Sequence, residues 1–197
     1  MSPDHRSTDA GRPGTEDPEP RAALRLLRQC GAETLDHPGG TLLAHLLRVR
    51  QQLAEWGARP ALQLAGLCHA FYGTDGFASA LLPLERRREL ASAIGGEAEG
   101  LVYFYAACDR KVTYRELGAY RDRFTGGTRA PAPQEQRDFA ELTAANELDL
   151  AALDEEFRRR HGEGLLKLFT TMRPALSPAA WQSCVDVLGS ERRTDRA

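Results

Sequence analysis

Apolar side chains recur at steps of three and four residues along one stretch of the chain, residues 41–56. The members of this stripe are Leu42, Leu46, Val49, Leu53 and Trp56. This spacing places them on one face of an α-helix, and Gly57 follows as a helix terminator. The helical period recurs along most of the chain, and no segment of useful length alternates with the two-residue period of a strand. The pattern predicts an all-α fold.

The predicted helices lie between two polar tails. We expect helices at residues 22–30, 41–56, 60–72, 84–94, 97–109, 139–153, 165–172 and 179–188. Residues 1–20 are rich in Pro, Gly, Asp, Glu and Arg and carry almost no large apolar side chain, so we predict that they are disordered. Residues 191–197 are predicted to be disordered for the same reason. One helical domain of ordinary size, residues 21–190, remains.

Composition and charge narrow the functional classes. The formal net charge is only −2, so no global field favours nucleic acid or an anionic membrane. No apolar run approaches the roughly 20 residues that span a bilayer, and the N-terminus lacks the apolar core of a secretory signal. The four cysteines are scattered, and three of them lie in apolar helical patterns typical of free buried thiols. We expect a cytoplasmic protein that binds neither nucleic acid nor membrane.

Three polar residues continue apolar helical stripes. His45 lies at the edge of the first long stripe, His69 ends the apolar run of the next helix, and Asp109 comes four residues after Tyr105. An ionised carboxylate that faces the interior is costly unless it is paired or bound to a cation. A metal ion would satisfy all three groups, so the pattern favours a metal site. The alternative is that each histidine bonds a backbone carbonyl and Asp109 pairs with an arginine such as Arg110.

These residues, in this order, resemble the metal-binding motif of the HD-domain superfamily. That motif has a first His, an adjacent His-Asp pair and a later Asp. His45 takes the place of the first His, and residues 65–69 (Ala-Gly-Leu-Cys-His) take the place of the apolar residues and the His of the pair. The dipeptide Asp109-Arg110 is similar to the Asp-Arg in the fourth-ligand helix of the guanosine-tetraphosphate hydrolases.

The resemblance covers residues 37–110 and extends more loosely to Asp149. The same stretch resembles an uncharacterised HD-like bacterial family. The resemblance implies an HD-like helical bundle with a divalent metal held by His45, His69 and Asp109. It further implies a small-molecule substrate and hydrolysis of a phosphoester or nucleotide by a metal-bound water.

Ala70 stands where an HD domain has the Asp of its His-Asp pair. The carboxylate that would bridge two metals is therefore missing, which favours a mononuclear site. Two histidines and one carboxylate suit Fe²⁺, Mn²⁺ or Zn²⁺. Two alternatives to the hydrolase follow. One is a non-haem Fe(II) oxygenase that uses the two-His-one-Asp set, and the other is a non-catalytic binding protein derived from the HD fold.

Three further residues are candidates for the chemistry itself. His37, just before the first long helix, is expected to act as a general base or to orient a ligand. Asp75, in the turn after the second helix, is a candidate acidic catalytic residue, and Arg110 is expected to neutralise a substrate phosphate. Asn146 and Glu147 interrupt an apolar helix and are expected to hydrogen-bond the site. Each has a structural alternative. His37 is then a packed loop histidine, Asp75 a helix cap, Arg110 the partner of Asp109 in an ion pair, and Asn146 and Glu147 members of a buried polar network.

Overall fold

The computed structural model describes residues 20–75, 79–114 and 118–189. It is mostly helical, with 68% helix and 7% strand, so the predicted all-α fold is confirmed. The predicted disordered tails lie outside the described residues, apart from Pro20. All four cysteines are free and three of them are buried, as predicted. Within the described ranges, no helix is both long enough and apolar enough to cross a membrane.

The helices of the described residues are numbered in chain order. They are α1 Arg21–Gln29, α2 Leu42–Glu55, α3 Pro60–Cys68, α4 Arg87–Ile94, α5 Gly96–Ala107, α6 Arg110–Thr113, α7 Pro133–Leu153, α8 Glu155–Met172 and α9 Pro178–Leu188. Short 3-10 turns at Leu84–Arg86 and Arg173–Ala175 precede α4 and α9. Two small antiparallel hairpins pair β1 (Asp36–His37) with β2 (Gly40–Thr41) and β3 (Tyr120–Arg121) with β4 (Thr128–Arg129).

Helix α3 lies at the centre of the bundle because it is apolar on nearly every side. It packs against α1, α2, α5 and α7. Its buried side chains include Leu62, Leu64, Ala65, Leu67 and Cys68. Gly66 permits the close approach of α2, since a Cβ at this position would lie 2.5 Å from the Leu53 Cδ1 atom.

The two longest helices, α7 and α8, begin earlier than their apolar periodicity predicts. Helix α7 begins at Pro133 rather than near residue 139, because proline suits a first helical turn and the first residues after it are largely polar. Helix α8 begins at Glu155 rather than near residue 165, because Asp154 caps it: the Phe157 N–H donates to Asp154 Oδ1 at 2.9 Å. Polar first turns carry no apolar stripe, so apolar periodicity alone underestimates the length of both helices.

Replacing Asp154 by Ala should lower the free energy of unfolding by about 1 kcal/mol, because the first turn of α8 loses its side-chain hydrogen-bond acceptor. Urea unfolding monitored by circular dichroism measures the change. Asp154→Asn is the matched control, since its amide oxygen can still accept the Phe157 N–H. An Asn variant as unstable as the Ala variant would show that the cap is not what stabilises this helix end.

Candidate functional site

A cavity of about 340 Å³ lies where α2, the end of α3, α7 and the start of α8 meet the β1–β2 hairpin. We refer to it as the histidine cavity, because three imidazoles line it. Its polar lining residues are Asp36, His37, His45, His69, Thr74, Arg110, Asn146, Glu147 and Asp154. Of the six residues predicted to carry metal or catalysis, four therefore line one cavity, and Asp75 and Asp109 do not.

Both ring nitrogens of His45 lie close to polar side chains of α7. It lies on α2 with 1% of its surface exposed. Its Nδ1 is 2.6 Å from Asp149 Oδ2, and its Nε2 is 3.2 Å from Asn146 Oδ1. Asn146 and Asp149 are three residues apart on α7, so their side chains share one helical face. The imidazole is thereby held in one orientation across the α2–α7 contact.

Asp149 is a buried carboxylate with two cationic or hydrogen-bonding partners on α2. Arg48 donates from Nε to Asp149 Oδ1 at 2.6 Å and from a terminal nitrogen to Oδ2 at 2.9 Å, beside the bond from His45. Burial alone would raise the pKa of Asp149, but the hydrogen bonds from His45 and Arg48 outweigh it and hold that pKa below its ordinary value. The group is therefore an ionised, fully paired acceptor behind His45.

His69 forms the C-terminal cap of α3, and its ring has a defined tautomer. The Nδ1 atom lies 2.8 Å from the Gly66 carbonyl oxygen, which can only accept, so Nδ1 carries the proton. Burial lowers the pKa of His69 to about 3, and the neighbouring His45 acts in the same direction. His69 is thus a neutral imidazole at physiological pH, with an unprotonated Nε2. Its ring centre lies 5.3 Å from that of His45 in an edge-on arrangement.

His37 reaches the site from the β1–β2 hairpin. Its ring stacks on His45 with a centre-to-centre distance of 4.2 Å. Burial lowers the pKa of His37 to about 4, with a smaller contribution from His45, so this ring is also neutral near pH 7. The hairpin folds the chain back over α2 and so brings His37 to the site. Its catalytic role remains a prediction.

Arg110 lies in the wall of the histidine cavity as part of a hydrogen-bonded chain. Its guanidinium donates to Glu147 Oε1 at 3.0 Å and to the Tyr105 hydroxyl at 3.1 Å. The Asn146 amide donates to the same Glu147 oxygen at 3.2 Å. Asn146 and Glu147 therefore contact the site, as expected from their place in an apolar helix. Arg110 supplies the positive charge among these lining residues, beside the three carboxylates of Asp36, Glu147 and Asp154.

Asp109 does not join the two predicted histidine ligands. Helix α5 ends at Ala107 and the chain turns extended at Cys108, so Asp109 leaves the stripe on which its inward direction was predicted. Its side chain instead caps α6 by accepting the Val112 N–H at 3.3 Å, and its other oxygen lies 3.9 Å from Arg121 Nε. Within the described residues, no group of three or more His, Cys, Asp or Glu is arranged to hold a metal ion.

Asp75 also lies apart from the cavity lining. It is exposed, and its Oδ2 accepts the backbone N–H of Arg110 at 3.2 Å. This contact joins the loop after α3 to the start of α6, and the catalytic role of Asp75 stays a prediction. Thr74, its neighbour, is buried and lines the cavity.

Sequence reasoning did not identify Arg48 as a site residue. It also missed the pairing of Asp149 with His45. His45 and Asp149 are 104 positions apart, and helical periodicity carries no information about which helices meet. One signal was present: Asn146 and Asp149 recur at a three-residue step among small apolar residues of α7. Such spacing places two polar groups on one inward face, where each needs a partner.

Comparison with known proteins adds one family match. A family model described as a domain of unknown function (DUF6817) matches residues 26–110, which is less than half of the chain. The matched segment contains His37, His45 and His69, whereas Asn146 and Asp149 lie beyond it. Comparison with curated proteins and with solved structures returned no significant match.

The low pKa of His69 makes folding stability depend on pH. The folded-state pKa is about 3 against an ordinary value of 6.5, so below about pH 6.5 the unfolded chain binds a proton that the folded chain does not. The stability contributed by the neutral ring should therefore be lost as the pH falls from about 6.5 towards 3, by up to about 1.4 kcal/mol per pH unit.

His69→Asn tests this linkage, because the Asn amide can still donate to the Gly66 carbonyl but does not titrate. In chelator, the free energy of unfolding should decrease less between pH 6.5 and pH 5 for this variant than for the wild type, by roughly 1–2 kcal/mol. His161→Asn is the control, since it makes the same substitution at an exposed histidine outside the histidine cavity. Equal slopes for the wild type and His69→Asn would contradict the assignment.

Proposed function

We propose that the histidine cavity binds one divalent metal ion and hydrolyses a small anionic ester, with a phosphoester as the leading substrate class. The orientation of two imidazoles carries this proposal. Nδ1 of His45 bonds the Asp149 carboxylate and Nδ1 of His69 bonds the Gly66 carbonyl, so both Nε2 atoms are turned away from those acceptors. Metal-binding histidines in proteins have this arrangement, in which an outer acceptor orients the ring and makes it more basic.

The donor set supports His45, His69 and Asn146 as ligands, with Asn146 in place of the predicted Asp109. Asn146 Oδ1 lies 3.2 Å from His45 Nε2. Two ligands that each lie about 2.0–2.2 Å from one ion are separated by roughly 3–3.5 Å, so this pair fits a shared ion. The edge-on rings of His45 and His69, 5.3 Å apart, are also close enough to share one.

Two features favour hydrolysis over the Fe(II) oxygenase alternative. The set formed by His45, His69 and Asn146 contains no carboxylate, whereas the non-haem Fe(II) site uses two histidines and one carboxylate. Glu147, the nearby carboxylate, already accepts from Arg110 and Asn146. The lining also contains a cation, Arg110, which suits an anionic substrate. Hydrolysis by a divalent ion such as Mn²⁺ or Zn²⁺ agrees better with these groups.

The chain's own residues would bind and orient the substrate. Arg110 is held by Glu147 and Tyr105, so its guanidinium is fixed in direction and can hydrogen-bond an anionic oxygen without reorganisation. His37 and His69 are neutral at pH 7 and do not add charge that would compete with a cation. A divalent ion held here would lower the pKa of a bound water towards neutrality. Ala70 presents a methyl group to the cavity, which favours one ion over two.

Calorimetric titration of Mn²⁺ into chelator-treated protein tests the ligand set. We expect about one ion per chain for the wild type. His69→Asn and Asn146→Leu should each weaken binding by roughly tenfold or more, because each removes a donor atom while the surrounding helices keep their apolar packing. Asp109→Asn and His161→Asn should bind as the wild type does.

Two outcomes would redirect the proposal. Loss of Mn²⁺ binding in Asp109→Asn, with binding retained in Asn146→Leu, would restore the ligand set predicted from sequence. Turnover is then measured with p-nitrophenyl phosphate in the presence of Mn²⁺, and it should disappear in His69→Asn. Stoichiometric metal binding without turnover of phosphoesters would instead favour the non-catalytic binding protein.

A further inference from the structure

A second cavity, of about 220 Å³, has Thr113 of α6 in its lining and shares no lining residue with the histidine cavity. We refer to it as the aromatic cavity. Its walls come from α5, α7, the end of α8 and the strand β3, and they include Phe104, Tyr120, Phe139 and Met172. The cavity is partly open to solvent, with the exposed residues Thr171 and Pro174 in its lining, so a small molecule can reach it.

The aromatic walls are held in place by their mutual contacts. Phe104 and Tyr120 stack with ring centres 4.1 Å apart, and the Tyr120 hydroxyl donates to the Phe104 carbonyl oxygen at 2.7 Å. Phe139 meets Phe104 edge-on at 5.9 Å. These contacts fix the rings and keep them from collapsing into the space, so the cavity is formed before any ligand enters.

One polar group in this lining lacks a good partner. Thr113 is 5% exposed, and its hydroxyl makes no hydrogen bond of normal geometry to any residue that the structure describes. It lies beside the Cys108 thiol. Burial raises the pKa of this thiol to about 11, and the contact with Thr113 offsets only part of the rise. A neutral thiol is a weak hydrogen-bond partner. The Thr113 hydroxyl is therefore able to hydrogen-bond a molecule inside the cavity.

We propose that the aromatic cavity binds a small planar aromatic molecule that carries one hydrogen-bonding group, with Thr113 as its polar contact. A cavity of about 150 Å³ lined by apolar side chains is enough to bind benzene, so the space here accommodates a substituted single ring or a small fused pair. The aromatic walls supply edge and face contacts, and the Thr113 hydroxyl, unlike that of Tyr120, is not already used in a hydrogen bond and selects for one polar substituent. The site is independent of the histidine cavity and of the metal proposed there.

Phenol and toluene are matched probes, since they are similar in size and differ in one hydroxyl group. Titrations followed by two-dimensional NMR should show that both bind the wild type, with shifts centred on Thr113, Phe139 and Met172. Thr113→Val preserves the shape of the side chain and removes its hydroxyl. It should weaken phenol binding by roughly tenfold and leave toluene binding nearly unchanged.

Filling the space provides a second test. Ala140 is buried in the cavity wall on α7, and Ala152 is exposed on the same helix. Ala140→Leu should abolish binding of both probes, whereas Ala152→Leu should not. If Ala140→Leu fails to fold, the Thr113→Val comparison decides. Absence of binding by the wild type, or equal loss of phenol and toluene affinity in Thr113→Val, would overturn the proposal. Mn²⁺ titration should be unaffected by Thr113→Val, which separates this site from the histidine cavity.

Discussion

The buried Asp149 carboxylate is the interaction on which the histidine cavity depends. It lies on α7 with 6% of its side chain exposed, and both of its oxygens accept from α2, through His45 and Arg48. A buried charge left without its partner typically costs about 3–5 kcal/mol, so the pairing of all three groups stabilises the contact between α2 and α7. The same contact turns His45 Nε2 away from the carboxylate and towards Asn146.

Helix α6 links the two cavities although it has only four residues. Arg110, at its start, lines the histidine cavity, and Thr113, at its end, lines the aromatic cavity. Asp109 caps this helix, so the carboxylate that was predicted to be a metal ligand accepts a backbone N–H instead.

Sequence periodicity predicted the elements well and their contacts poorly. The stripe from Leu42 to Trp56 correctly placed α2 and put His45 inside, because burial of one helical face is a local property. Asp109 was misplaced, since its inward direction assumed that α5 continued two residues beyond its end at Ala107. The pairing of Asp149 with His45 is a tertiary contact, and nothing in the local pattern of either helix identifies the other. Helix starts at Pro133 and Glu155 required cap chemistry rather than apolar spacing.

A double-mutant cycle between His45 and Asp149 measures the central interaction directly. The free energy of unfolding is compared for the wild type, His45→Gln, Asp149→Asn and the double variant, at pH 7 in chelator so that metal binding does not contribute. If the carboxylate and the imidazole hold α2 against α7, the two losses should be non-additive, with a coupling of about 1–3 kcal/mol. Losses that add to within about 0.5 kcal/mol would contradict that role for the pair.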